Sequence, residues 1–262
     1  MQAKFLLQRE VKNFVEYNRI KNPSFEVHFH SQIELYLVLD GTIEIIVNNH
    51  KRILKKGELS VALSYDTHGY RNIDSSEVLF LSIPTSFCGD FLTLSANKRL
   101  PSPFIDSPED YEVIREAMEK IYTAPNELSM RGYIYIILGT ILKKMTSDQP
   151  ADSSENRFSA YMLIYISEHF KEDICLSSLA HHFGYNSSYL SRSFRQTFGI
   201  SFGRYLTMLR LREFILLLRE GNQSITECAF ECGFGSMRSF YRAFRDEFGC
   251  SPKEYIESEK RK

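Results

Sequence analysis

One stretch of this chain occurs twice. Residues 176–199 read LSSLAHHFGYNSSYLSRSFRQTFG, and residues 225–249 read ITECAFECGFGSMRSFYRAFRDEFG. Ala180 matches Ala229 and Gly184 matches Gly233; further on, Arg192, Phe194, Arg195 and Phe198 match Arg242, Phe244, Arg245 and Phe248. The offset grows from 49 to 50 residues between the glycine and the arginines, so the second copy has a turn one residue longer. Each copy has the same physical logic. A short helix carries a small alanine where another helix can approach. A glycine then takes the positive φ that ends the helix. A second helix starts near Ser187 or Ser236. That is the helix-turn-helix layout, over residues 176–198 and 225–248, whose second helix enters the major groove of duplex DNA.

Both second helices are amphipathic at helical spacing. Leu190, Phe194 and Phe198 form one buried stripe, and Phe240, Phe244 and Phe248 form the other. Arg192 and Arg195 stand on the opposite face of the first, and Arg238, Arg242 and Arg245 on that of the second. A row of arginines on one helix is ordinarily a solvated face. Two copies, each with glycine turn and arginine face, point to DNA, because a guanidinium donates bidentately to guanine edges or to phosphate. The charge is distributed accordingly. Residues 157–262 carry 15 Lys and Arg against 12 Asp and Glu, whereas residues 1–156 carry 17 against 21.

The C-terminal part resembles the AraC/XylS family of transcription regulators. Residues 224–229, SITECA, followed by Gly233 and Phe234, are similar to a core segment of that family. Residues 240–249, with Ser251, Pro252 and Tyr255, are similar to its C-terminal signature. The long helix expected over residues 202–219 looks like the family's linker helix. Cys228 is a departure, standing where the family usually has isoleucine or valine. The resemblance implies a seven-helix domain whose two recognition helices enter successive major grooves. Carried over position by position, the base-facing residues are Ser188, Ser191 and Arg192 in the first unit. In the second they are Met237, Arg238, Tyr241 and Arg242.

The first hundred residues read as short strands. Residues 34–39 and 42–47 are β-branched and aromatic runs around Asp40-Gly41, a hairpin signal. Further runs follow at 53–54, 59–63 and 77–83, which suggests a small barrel or sandwich. His28, His30 and Glu34, then Gly41, resemble the first cupin motif, and Gly57, His68 and Asn72 the second, with Leu63 and Tyr65 in place of its usual proline and glycine. In cupin enzymes the corresponding set, here His28, His30, Glu34 and His68, binds a divalent metal. Sensor domains of regulators often keep the motif without metal or catalysis. The expectation is therefore an effector pocket lined by these four, with no metal and no cofactor.

The sequence thus predicts an α+β multidomain chain: an N-terminal cupin-like β-barrel plus a helical pair, and a C-terminal all-α double helix-turn-helix domain. The boundaries are 1–105 for the sensor, 106–146 for a helical dimerisation segment, 147–156 for a Ser-rich linker and 157–262 for the DNA-binding domain. Tyr133, Ile134, Ile137, Ile141 and Leu142 give the second helix of the pair an apolar face. The most apolar stretch, residues 133–142, is about half the length that spans a bilayer. Five scattered cysteines and no apolar leader fit a cytoplasmic protein. The function expected is sequence-specific transcription regulation, by activation, in answer to a small polar effector such as a carbohydrate. The partners would be double-stranded DNA, RNA polymerase (by the resemblance) and a second copy of the chain, with no membrane and no enzymatic activity. Two alternatives stand beside it: a metal-dependent cupin enzyme fused to a DNA-binding domain, and a DNA-bound regulator with no small-molecule effector.

Overall fold

The computed structural model describes residues 4–6, 9, 14–48, 50–95, 98–147, 162–163, 165–198, 200–221 and 223–259. Its contacts divide the chain into two units, Met1–Ala160 and Tyr161–Lys262. Residues 148–156, the bulk of the expected linker, lie outside the described residues.

In the first unit eight strands form one sheet: β1 (Lys4–Phe5), β2 (Glu16–Lys21), β3 (Phe25–Phe29), β4 (Ile33–Val47), β5 (His50–Lys55), β6 (Leu59–Ala62), β7 (His68–Ile83) and β9 (Phe104–Ile105). β8 (Lys98–Arg99) pairs separately with β10 (Thr146–Ser147). The sheet is organised by β4 and β7, which pair antiparallel along almost their whole length. The first half of β4 also pairs with β6 and the second half with β5. The start of β7 pairs with β3 and its end with β2. Two long strands shared in this way roll the sheet into a cupin-like barrel.

This arrangement corrects the expected hairpin at Asp40-Gly41. The chain does not turn back there; β4 runs straight through, with register shifts on both sides of Gly41. Gly41 adopts φ 72°, and a β-carbon on it would stand 1.7 Å from the Ser75 carbonyl oxygen. The Asp-Gly pair therefore makes a bulge, which bends a long strand around the barrel. The true reversal is at Asn48, φ 53°, between β4 and β5.

Alternation along β4 divides the apolar residues between two cores. Tyr36 and Val38 turn into the barrel with Ile43, Tyr70, Val78 and Phe80. Leu35 and Leu37 turn outward, where α1 (Gly89–Ser95), α2 (Pro108–Tyr122) and α3 (Glu127–Lys144) cover them. Ser107 caps α2, and Tyr111 on α2 donates a hydrogen bond to the Val38 carbonyl at 2.9 Å.

In the second unit, helical residues at 165–169 precede α4 (Leu176–His182), α5 (Ser187–Phe198), α6 (Phe202–Glu220), α7 (Ile225–Glu231), α8 (Met237–Phe248) and α9 (Pro252–Glu259). Gly184 at φ 71° and Gly233 at φ 85° end α4 and α7, as the repeat requires. In each turn the residue after the glycine donates its N–H to the repeated alanine: Tyr185 to the Ala180 carbonyl at 2.8 Å, Phe234 to that of Ala229 at 3.2 Å. The central helix α6 joins the two halves. Its Tyr205 packs 5.8 Å from Phe194 of the first half, and its Phe214 packs 4.6 Å from Phe240 of the second.

Candidate functional site

The two repeated helices, α5 and α8, bury the stripes expected of them. Leu190, Phe194 and Phe198 are buried on α5; Phe240 and Phe244 are buried on α8, and Phe248 is half-buried. That packing turns the other faces outward. Ser188, Ser191, Arg192 and Arg195 are exposed on α5, as are Arg238, Tyr241, Arg242 and Arg245 on α8. Met237 opens α8 and is half-buried. Arg192, Arg238 and Arg242 enter no ion pair among the described residues, so their guanidinium groups are open to an external anion or base edge. The faces differ in reach: the second offers two arginines and a tyrosine in its first two turns, where the first offers two serines and Arg192.

The barrel brings His28, His30, Glu34 and His68 together. His28 is next to last in β3 and pairs with His68 at the start of β7; Glu34 is the second residue of β4, and His30 lies between the two strands. All four are buried, and one ligand atom from each lies within 4.8 Å of all the others. His30 Nε2 is 3.0 Å from Glu34 Oε1, and His68 Nε2 is 3.3 Å from Oε2. These are distances of contact without alignment: His30 Nε2, His68 Nε2 and Glu34 Oε1 make no aligned hydrogen bond. The ring orientation explains why. His28 Nδ1 lies 2.7 Å from the Glu26 carbonyl, and His68 Nδ1 lies 2.8 Å from that of Asp66. A carbonyl only accepts, so each Nδ1 carries a proton, and the Nε2 of a neutral ring presents a lone pair. His68 Nε2 thus faces a carboxylate oxygen, an arrangement completed by a positive charge between them, whether a proton or a bound cation.

Burial, seconded by His68, pushes the His28 imidazole down to about 4, so it is neutral at pH 7. Burial opposes ionisation of Glu34, but His30 and His68 outweigh it and hold the carboxyl well below its usual range. Three imidazoles and a carboxylate, buried and convergent, with His30 Nε2, His68 Nε2 and Glu34 Oε1 in no aligned hydrogen bond, fit a divalent transition-metal ion. Two neighbours of the cluster went unmarked in the sequence. Tyr70 donates its hydroxyl to Glu34 Oε2 at 3.3 Å, and its ring stacks on Tyr36 at 3.6 Å. The signal was alternation: each stands two residues beyond a cluster member, on the same face of its strand.

Among the described residues no helix is long and apolar enough to cross a membrane. A rolled sheet with a buried histidine–carboxylate cluster and a helical unit with two outward arginine faces together define a DNA-binding regulator with a cupin-type domain. A helix-turn-helix domain model matches residues 179–258, and a cupin domain model matches residues 20–84. These matches support an AraC-type transcription regulator with a cupin-like N-terminal domain. The chain is 26% identical over 249 residues to the HTH-type transcriptional activator RhaS of Citrobacter koseri, covering 90% of this chain and 89% of that one. It is 27% identical over 263 residues to RhaS of Escherichia fergusonii, covering 95% and 94%. A solved structure of ToxT from Vibrio cholerae aligns with a TM-score of 0.46 at 13% identity, over 92% of this chain and 97% of that one.

Proposed function

We propose that this regulator activates transcription from operators that it grips with both helix-turn-helix units, in answer to a small polar effector sensed by the barrel. The observation that carries the reading is the repeated recognition face: two packed stripes, each turning arginines outward. Arg192, Arg195, Ser188 and Ser191 contact DNA in the first unit. Met237, Arg238, Tyr241, Arg242 and Arg245 do so in the second. Relatives named as RhaS activators support activation, and with it a contact to RNA polymerase in the cytoplasm. A carbohydrate is the effector class to test first. The chain acts as a homodimer and catalyses no reaction.

His28, His30, Glu34 and His68 would hold a divalent ion, whose charge would satisfy the buried acceptor atoms and anchor an oxygen of the effector. The convergence of the four ligand atoms within 4.8 Å favours this over a metal-free lining.

Selection of bound sequences from random duplex DNA, with and without candidate sugars, tests the whole reading. Enrichment of a defined sequence is expected, with two neighbouring major grooves about 10 bp apart contacted by each subunit. No enrichment from the random pool would overturn it.

A further inference from the structure

When the second unit is laid on the first, one place does not match. Tyr185 and Phe234 are equivalent, since each follows the helix-ending glycine and each closes the turn onto the repeated alanine. Phe234 is 6% exposed and packs edge-on against Phe240, with centroids 5.3 Å apart. Tyr185 is 41% exposed, and its ring lies nearly parallel to that of Tyr189, at 5.5 Å and 15°. Tyr189, itself 42% exposed, stands where the second unit has Ser239. The chemistry of the two side chains accounts for part of the difference. A phenylalanine can enter the apolar interior outright, whereas a tyrosine there needs a partner for its hydroxyl.

The result is an aromatic step at the head of α5, the helix that reads DNA in the first unit. Asn186 fixes its position, because its side-chain oxygen accepts from the N–H groups of Ser188 and Tyr189 at 2.8 and 3.4 Å. Tyr189 lies one turn before Arg192. Beside it the base-facing places hold serines, too short to cross to a base edge unless the helix backbone sits deep in the groove.

We propose that Tyr185 and Tyr189 seat the first unit on the DNA backbone, their rings against deoxyribose and their hydroxyls donating to phosphate oxygens. The first unit then supplies affinity with little sequence choice, and Arg238, Tyr241 and Arg242 of the second supply the choice. Tyrosine suits the task because it joins a rigid apolar body to a polar tip. Hydrogen bonds to phosphate fix register and orientation but carry no sequence information. This inference rests on the DNA-binding reading above.

The test uses the full chain, its selected operator and a scrambled duplex of equal length. Tyr185→Phe with Tyr189→Phe keeps the stacked rings and removes both hydroxyls. Affinity should fall roughly a hundredfold on both duplexes alike, as expected for two lost hydrogen bonds to charged groups. The salt slope should be unchanged, because no cation is removed. A repeated selection should return the same base preferences. Tyr189→Ala, which also removes the platform, should weaken binding further at an unchanged melting temperature. Unaltered affinity in both variants overturns the proposal, and so does a base preference that changes in one half-site. If the unmutated chain selects no sequence at all, the DNA-binding reading fails first and this inference with it.

Discussion

Gly233 lies against the carbonyl of Lys171, so close that a β-carbon on the glycine would stand 2.5 Å from the carbonyl oxygen. The neighbouring carbonyls are held as well. Arg210 of α6 donates to Phe170 and Glu172, each at 2.8 Å. The turn of the second unit is thereby locked to the segment that leads into the first. Gly184, its repeat partner, has the same positive φ but open space around it. Gly184→Ala should cost about 1–2 kcal/mol, the backbone term alone. Gly233→Ala should cost that and roughly 1–3 kcal/mol more, because a backbone carbonyl must move. Chemical unfolding of the two variants checks this; equal losses would show that the close approach is relieved at no cost.

Arg192 and Arg242 hold equivalent places on the two recognition helices, and both are exposed. Replacing either by alanine should weaken operator binding by about 1–3 kcal/mol if it reads a base, and relax preference at one position. If the first unit only seats the protein, Arg192→Ala should weaken all duplexes alike and lower the salt slope, whereas Arg242→Ala should change the selected sequence. Titrations on specific and scrambled DNA separate the two outcomes. Full affinity in both variants would remove these faces from the DNA contact.

What the sequence disclosed depended on how local the signal was. The double helix-turn-helix was legible because the repeat fixes helix ends, buried stripe and outward face together. The histidine cluster was legible as a set because even spacing puts side chains on one strand face. Asp40-Gly41 misled, because a positive-φ glycine serves a bulge as well as a hairpin, and only the partner strands decide between them. The apolar face of the helical pair was legible as a face, and Ile134, Ile137 and Ile141 on it are fully buried in the chain's own core; which of its residues the barrel takes up depends on packing that the spacing does not carry. The swung-out Tyr185 was not legible, since its fate depends on the pocket that Phe234 fills in the other unit.

The barrel cluster should make stability depend on metal. Adding a divalent ion at a hundredfold excess over its dissociation constant should stabilise the sensor by about 2.7 kcal/mol through linkage. Glu34→Gln should abolish the gain. Tyr70→Phe removes the hydroxyl that holds one carboxylate oxygen, and should weaken ion binding about tenfold or more. Calorimetric melting with Ni, Zn, Mn and a chelator gives the answer. Identical melting under all four conditions would leave the cluster as a metal-free polar core.

The outward side of α3 leaves room for close approach by another helix. Gly132 and Gly139 stand on it, exposed, and a β-carbon on either would meet nothing within 4 Å. Each glycine costs a helix about 1 kcal/mol relative to alanine. Leu128 and Ile136, 81% and 48% exposed, lie on the same side. Tyr135 is tied down by its hydrogen bond to Asp90 at 2.9 Å. A second copy of α3 related by a two-fold axis would bury Ile136 against the glycines and place like faces together, as an isologous dimer requires. The chain should therefore be a dimer at micromolar concentration. Ile136→Glu should convert it to a monomer with unchanged melting of the sensor, because that side chain touches solvent in one subunit. Ile137→Glu, one residue on, should unfold the sensor instead, since Ile137 is fully buried. Light scattering of the unmutated chain, free and bound to operator, decides the matter. A single monomeric mass in both states would remove α3 as the subunit contact.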